Sequence, residues 1–109
     1  MASDSLLRLD CTFTASADVA SATVQVRGEL DLQTVELLRG TVDVLLTAGR
    51  RRITMDLHQL TAIDRTGVLF LTALQHDLST HRGDLCLVNA TTPIRAALRH
   101  GQVRYAETA

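Results

Sequence analysis

The stretch Ile53-Thr54-Met55-Asp56-Leu57-His58-Gln59-Leu60-Thr61-Ala62-Ile63-Asp64-Arg65-Thr66-Gly67-Val68-Leu69-Phe70-Leu71 carries the reading from which the rest of this 109-residue chain follows. Ile53 to Leu57 is apolar at alternate positions, the two-residue period of a strand. From about Thr66 to His81 the apolar residues Val68, Leu71, Leu74 and Leu78 recur three and four apart, the stripe of a helix that buries one face. His58 to Thr66 is read as the connector, with Leu60 and Ile63 turned inward. At the junction Asp64 offers a short acceptor to the first N–H groups of the helix, and its charge suits the positive helix end. Gly67 removes a side chain there, so another backbone or a phosphate can come close. Val68-Leu69-Phe70-Leu71 is apolar on every side of a helical turn. Two readings of it stay open: a helix wedged between sheet and neighbouring helix, or an exposed apolar patch that meets a partner.

Upstream of this unit, Leu7, Leu9, Cys11 and Phe13 alternate with polar residues as a half-buried strand. A polar, small-residue loop leads to Thr23-Val24-Gln25-Val26-Arg27, a second alternating run ended by Gly28, and the two strands should pair antiparallel. After Gly28 the period changes to 3.6, with Val35, Leu38, Val42 and Leu45 as the stripe and Leu46 widening it. Asp31 is the expected N-cap and Gly49 the expected C′ residue, with Arg39 and Asp43 four apart as a weak pair. Gly40 in the helix interior either weakens it by about 1 kcal/mol or marks close packing. The run Arg50-Arg51-Arg52 is read as complementing the negative end of that helix.

Downstream, Gly83 follows the second helix, and Leu85-Cys86-Leu87-Val88 is a short apolar strand of the kind covered on both faces. Thr92 and Pro93 open a third helix as N-cap and first residue. Ile94, Ala97 and Leu98 face inward, Gly101 closes the helix, and Val103 to Tyr105 is read as a last edge strand. The order predicts an α/β fold: a mostly parallel sheet with one antiparallel N-terminal strand pair and three main helices, in a single domain spanning residues 1–109.

Composition narrows the chemistry. Eleven basic residues face twelve acidic ones, a net charge of −1, and the three aromatics Phe13, Phe70 and Tyr105 offer no stacking platform, so nucleic acid is not an expected partner. Every basic residue is arginine, which removes P-loop, Schiff-base and kinase-type lysine chemistry. No apolar run is long enough to span a bilayer and Met1-Ala2-Ser3-Asp4 lacks a basic start, so a cytoplasmic protein without membrane insertion is expected. Cys11 and Cys86 lie in different strands without CxxC spacing and are read as free buried thiols. His76 and His81, five apart, lie on different sides of a helix, and His58 and His100 are read as solvated, so no metal is expected. Ser3, Ser5, Ser16, Ser21 and Ser79 lie outside any nucleophile motif. Asp56 with Asp64 is the one carboxylate pair at a strand's carboxyl end, thin support for catalysis.

Taken together, Gly28-Glu29-Leu30-Asp31 ahead of the first helix, Ile53 to Leu57, and Ile63-Asp64-Arg65-Thr66-Gly67-Val68-Leu69 at the start of the second helix resemble the STAS domain. That is the family of anti-sigma factor antagonists and of the cytoplasmic ends of sulfate transporters. The likeness continues through Gly83-Asp84-Leu85 and Pro93-Ile94-Arg95 to Leu98 and Gly101, over about residues 7–105. It implies a non-enzymatic bacterial regulator without a cofactor. Such a protein binds an anti-sigma factor, often itself a serine/threonine kinase, and so releases a sigma factor for transcription. The implied partner surface comprises Asp31, Asp64, Arg65, Thr66, Gly67 and Leu69. In the family the residue after the motif aspartate is usually a serine or threonine whose phosphorylation breaks the complex, and here it is Arg65. An arginine neither accepts phosphate nor mimics it. Three consequences are open: a switchless antagonist, a partner with a carboxylate for Arg65, or a role outside the sigma pathway. Thr66 is read as a first-turn helix residue, with phosphorylation there as the alternative. The competing role implied by the resemblance is a STAS scaffold subunit of a larger signalling or lipid-transport assembly, and a homodimer is compatible with either.

Overall fold

Parallel pairing at the centre and antiparallel pairing at one edge organise the computed structural model, which describes residues 8–15 and 18–106. Leu7, Ser3, Ser5, Ser16 and the first four residues lie outside the described residues. Strands β1 (Leu9–Ala15) and β2 (Ser21–Leu30) run antiparallel, with Cys11 opposite Val26 and Phe13 opposite Val24. β3 (Arg52–Ile63) and β4 (Asp84–Val88) continue the sheet in parallel, in the order β1-β2-β3-β4. Helices α1 (Val35–Thr47), α2 (Arg65–Thr80) and α3 (Thr92–His100) fill the connections. The expected mixed sheet with three helices is therefore present. Among the described residues no helix is long and apolar enough to cross a membrane.

The core lies where the strand and helix periods meet. Ala22, Val24 and Val26 of β2, Ile53, Met55 and Leu57 of β3, and Leu85 and Leu87 of β4 are buried on one face of the sheet. Over them pack Val35, Leu38, Val42 and Leu45 of α1, the whole expected stripe, with Leu71, Leu74 and Leu78 of α2 and Ile94 and Leu98 of α3. On the opposite face Thr12, Thr23, Gln25 and Arg27 are exposed, while Cys86 and Val88 are only half-buried. β4 is thus not covered on both faces: its short apolar run lies at an edge of the sheet, under helices on one side only.

Other local readings are corrected by tertiary pairing. Gly28 does not end β2. Its φ of +113° and the shifts of the β2–β3 register on either side of it mark a bulge. A Cβ at Gly28 would collide with the Arg8 carbonyl, to which Glu29 N–H donates at 2.6 Å. The expected connector after Leu57 is strand up to Ile63, because Arg27 to Leu30 of β2 supply partners for Gln59, Leu60, Ala62 and Ile63. Val103 to Tyr105 forms no strand, although Ala106 N–H donates to the Leu87 carbonyl. α1 starts at Val35, one turn after Asp31, and α3 takes Thr91 rather than Thr92 as its flanking residue. Arg39 pairs with Glu36 at 3.2 Å instead of Asp43 and lies 5.0 Å from the Phe70 ring centre, which ties α1 to α2.

Helix ends explain the remaining polar residues. Gly49, with φ +89°, takes the C′ position: its N–H donates to Leu46 O and that of Arg50 to Leu45 O, satisfying the last carbonyls of α1. At the end of α2 the left-handed residue is Arg82, not Gly83. The arginine run divides its work. Arg51 donates to the Leu46 carbonyl at the end of α1, as expected, while Arg50 donates to the carbonyls of Asp18 and Ser21 and Arg52 pairs with Asp18 at 2.5 Å. Two of the three therefore pin the β1–β2 loop.

The glycines of the two helices make opposite predictions. A Cβ at Gly40 meets open space, so Gly40→Ala is expected to raise the urea midpoint, by about 0.5–1 kcal/mol of stability. A Cβ at Gly67 would lie 2.8 Å from Ile63 Cγ1 and 2.9 Å from Leu30 Cγ, so Gly67→Ala is expected to lower stability by about 1–3 kcal/mol in the same titration.

Candidate functional site

The two central strands end side by side, Leu30 opposite Ile63, and each is followed by a helix start, so the β2–α1 turn and the first turn of α2 are neighbours. Asp64 joins them. Its Oδ1 accepts from Gly67 N–H at 3.0 Å as the N-cap of α2, and its Oδ2 accepts from Leu32 N–H at 3.2 Å across the gap. Its own N–H donates to the Leu30 carbonyl. The expected cap is present and has a second function that sequence spacing did not reveal.

Asp31 organises the other side. Its Oδ1 accepts from the N–H groups of Gln33 and Thr34, while Thr34 Oγ1 accepts from Asp31 N–H and donates to the Glu29 carbonyl at 2.7 Å. This is a reciprocal capping box in which threonine replaces the usual glutamate, set one turn before the α-helix proper. The Asp31-x-x-Thr34 spacing was the readable signal for it. Arg8 closes the cluster, donating to Glu29 at 2.7 Å, to Asp31 and to Gln33. Although its own desolvation opposes it, the Asp31 carboxyl is held below the ordinary range by the N–H of Gln33, the hydroxyl and N–H of Thr34, and the Arg8 charge.

On this frame the expected surface residues divide into two sets. Arg65 and Leu69 are exposed, Leu69 at 56%, and so is Leu32 at 71%, an apolar residue that no stripe had singled out. Thr66 is half-buried in the first turn, and Gly67 is buried, its bare α-carbon against Leu30 and Ile63. Gly67 therefore shapes the surface from beneath. Within Val68 to Leu71, Phe70 and Leu71 are buried, Val68 is half-buried and Leu69 faces solvent. A groove of about 490 Å³ runs from this first turn to the end of α3, lined by Ile63, Asp64, Arg65, Val68, Leu69, Ala97, His100 and Gly101. The contribution of α3 is invisible along the chain because some thirty residues separate its end from Asp64.

Catalytic and metal readings gain nothing from this geometry. Asp56 accepts from His58 N–H and from Asn89, whereas Asp64 follows the end of β3. Extension of β3 between them places the two carboxylates roughly 25 Å apart along the strand. The two carboxylates therefore do not converge on a common site. Among the described residues no group of histidine, cysteine and carboxylate side chains could hold a metal ion. All four histidines are exposed. Cys11 and Cys86 are free and half-buried, and burial followed by the nearby Asp10 charge pushes the Cys11 thiol up to about 11, so little thiolate exists at neutral pH.

Residues 13–103 match the family model described as "Mlab, STAS domain". No curated protein matches the chain significantly. Among solved structures, the anti-sigma factor antagonist SpoIIAA, the Bacillus cell fate determinant, in its unphosphorylated form is 17% identical with a TM-score of 0.74, covering 90% of this chain and 89% of its own. A putative anti-sigma factor antagonist from Thermotoga maritima is 18% identical, TM-score 0.73, with 89% and 86% covered. An anti-sigma factor antagonist from Mycobacterium paratuberculosis is 19% identical, TM-score 0.65, with 91% and 87% covered. At such identities the likeness establishes the fold.

Asp64→Ala removes both the cap and the strap to Leu32, and an equilibrium denaturant titration should read a loss of about 1–2 kcal/mol, with Asp64→Asn closer to the parent. The carboxyls of Asp31 and of Asp18, the latter lowered by Ala20 N–H, Arg52 and Ser21, lie below their unfolded values. Their contribution is therefore fully present above about pH 4 and is lost as pH falls through the folded values. The thermal midpoint should hold between pH 7 and pH 5 and drop below about pH 4, less steeply in Asp31→Asn.

Proposed function

The chain belongs to the STAS domain family, and from that premise we propose that it is a protein-binding regulator of the anti-sigma factor antagonist kind. It docks on an anti-sigma factor through the surface built on Asp31, Asp64, Arg65, Thr66, Gly67 and Leu69, and so promotes sigma factor release. The observation that carries this reading is the Asp64 joint: one carboxylate holds two helix starts together, with Leu32 exposed in one turn and Arg65 and Leu69 exposed in the other. Exposed apolar residues and an unpaired cation, on a hydrogen-bonded base, suit recognition of another protein. Fold likeness to three anti-sigma factor antagonists supports the same reading.

Arg65 occupies the position where the resemblance places a phosphorylated hydroxyl. The complex is therefore not switched at that residue. Thr66, half-buried in the first turn of α2, acts as a helix residue and not as the acceptor.

A second reading follows from the wording of the matched family model, which names Mlab and not an antagonist. Under it the chain is a non-enzymatic STAS subunit of a larger signalling or lipid-transport assembly. Purification of the tagged protein from its own host, with light scattering on the eluate, separates the two. An anti-sigma factor in a small complex supports the antagonist, whereas transport subunits or a many-copy assembly of STAS chains supports the scaffold.

The antagonist reading also predicts a gain of function. Arg65→Ser, incubated with the co-purified kinase and ATP, should take up phosphate at residue 65 by mass spectrometry and then release the kinase, while the parent chain stays unmodified and bound. A serine at 65 that stays unmodified sinks the assignment of this position.

A further inference from the structure

We propose that the groove between the start of α2 and the end of α3 receives a segment of a partner protein that presents a carboxylate beside aliphatic side chains, with Arg65 pairing the carboxylate. The inference rests on the protein-binding reading above and adds the chemistry of the partner.

The groove has an apolar floor and an arginine at its rim. Val68, Ala97 and Gly101 form the floor with the exposed Leu69 at its lip, and Arg65 and His100, both exposed, stand on the rim. The floor is closed by contact: a Cβ at Gly101 would strike Val68 Cγ1, so glycine there seats the end of α3 directly on α2.

Charge selects the occupant. Of the described residues that line the groove, Arg65 alone is an arginine. The one carboxylate in the groove, Asp64, spends each oxygen on a backbone N–H. Among the described residues Arg65 forms no ion pair, so its guanidinium is left for an external acceptor, and its planar fork matches a carboxylate with two parallel hydrogen bonds. A small free anion would leave the floor and Leu69 wet, whereas a peptide segment that brings aliphatic side chains with its carboxylate covers both.

The test is selection of a displayed random-peptide library on the full chain, followed by binding titrations with the recovered peptides. Enriched peptides should combine Asp or Glu with Leu, Ile or Val. They should lose roughly tenfold or more in affinity on Arg65→Glu and on Leu69→Ser, both surface changes that leave the core intact. Backbone amide shifts on binding should centre on Val68, Ala97 and Gly101. Arg65→Glu used as bait should instead enrich Lys or Arg. Enrichment of basic or uncharged peptides, affinities indifferent to Arg65→Glu, or no enrichment above an Arg65→Glu/Leu69→Ser double variant overturns the proposal. So does self-association in light scattering that Arg65→Glu abolishes, because a second copy would then be the occupant. The two levels separate cleanly. An anti-sigma factor that binds equally to Arg65→Glu removes this inference and keeps the function, whereas acidic peptides held in the groove with no anti-sigma factor recovered from the host do the reverse.

Discussion

The close approach at Gly67 is the constraint on which the rest of this molecule depends. The first turn of α2 lies against Leu30 and Ile63, the last residues of the two central strands, with Gly67 as the point of contact. Only a residue without a Cβ permits that distance. Because the helix start sits so low, Asp64 can cap its own helix and still reach Leu32 N–H in the neighbouring turn. The depth of packing and the surface chemistry thus have a single origin. A helix held further from the sheet would part the two helix starts.

Charge is divided between the two ends of β2. Four of the five ion pairs among the described residues join exposed side chains, each worth little alone in solvent. Their value is positional. Arg8 gathers Glu29, Asp31 and Gln33 around the β2–α1 turn, while Arg50 and Arg52 hold the β1–β2 loop at the far end of β2. Arg65 forms no ion pair among the described residues and stands at the entrance to a helix whose positive end does not need it. The helix field disfavours a cation there, and the Arg65 side chain is exposed.

Much of the fold was legible because burial imposes a period on the sequence. The stripe of α1, the alternation of β2 and the Asp64 cap were all readable from spacing alone, and each is present in the structure. Where local pattern failed, pairing partners had decided the outcome. His58-Gln59 breaks the alternation of β3 and reads as loop, yet β2 runs alongside and supplies hydrogen bonds as far as Ile63. Gly28 reads as a terminator, yet it accommodates a bulge under the Arg8 carbonyl. Val103 to Tyr105 has strand composition, but among the described residues only the Ala106 N–H joins it to β4.

The sequence by itself determined the three helices, the mixed sheet and the identity of the cap at α2, because these follow from periodicity and from which side chains can accept a backbone N–H. Its family resemblance pointed to the STAS fold, which the match over residues 13–103 bears out. Only the tertiary structure decided that Leu32 and Asp64 share a hydrogen bond, that Gly67 lies beneath the surface while Leu69 lies on it, and that α3 supplies the second wall of the groove. The reason is physical: these relations join residues about thirty positions apart, and no local period encodes a contact made when separate elements pack on one sheet.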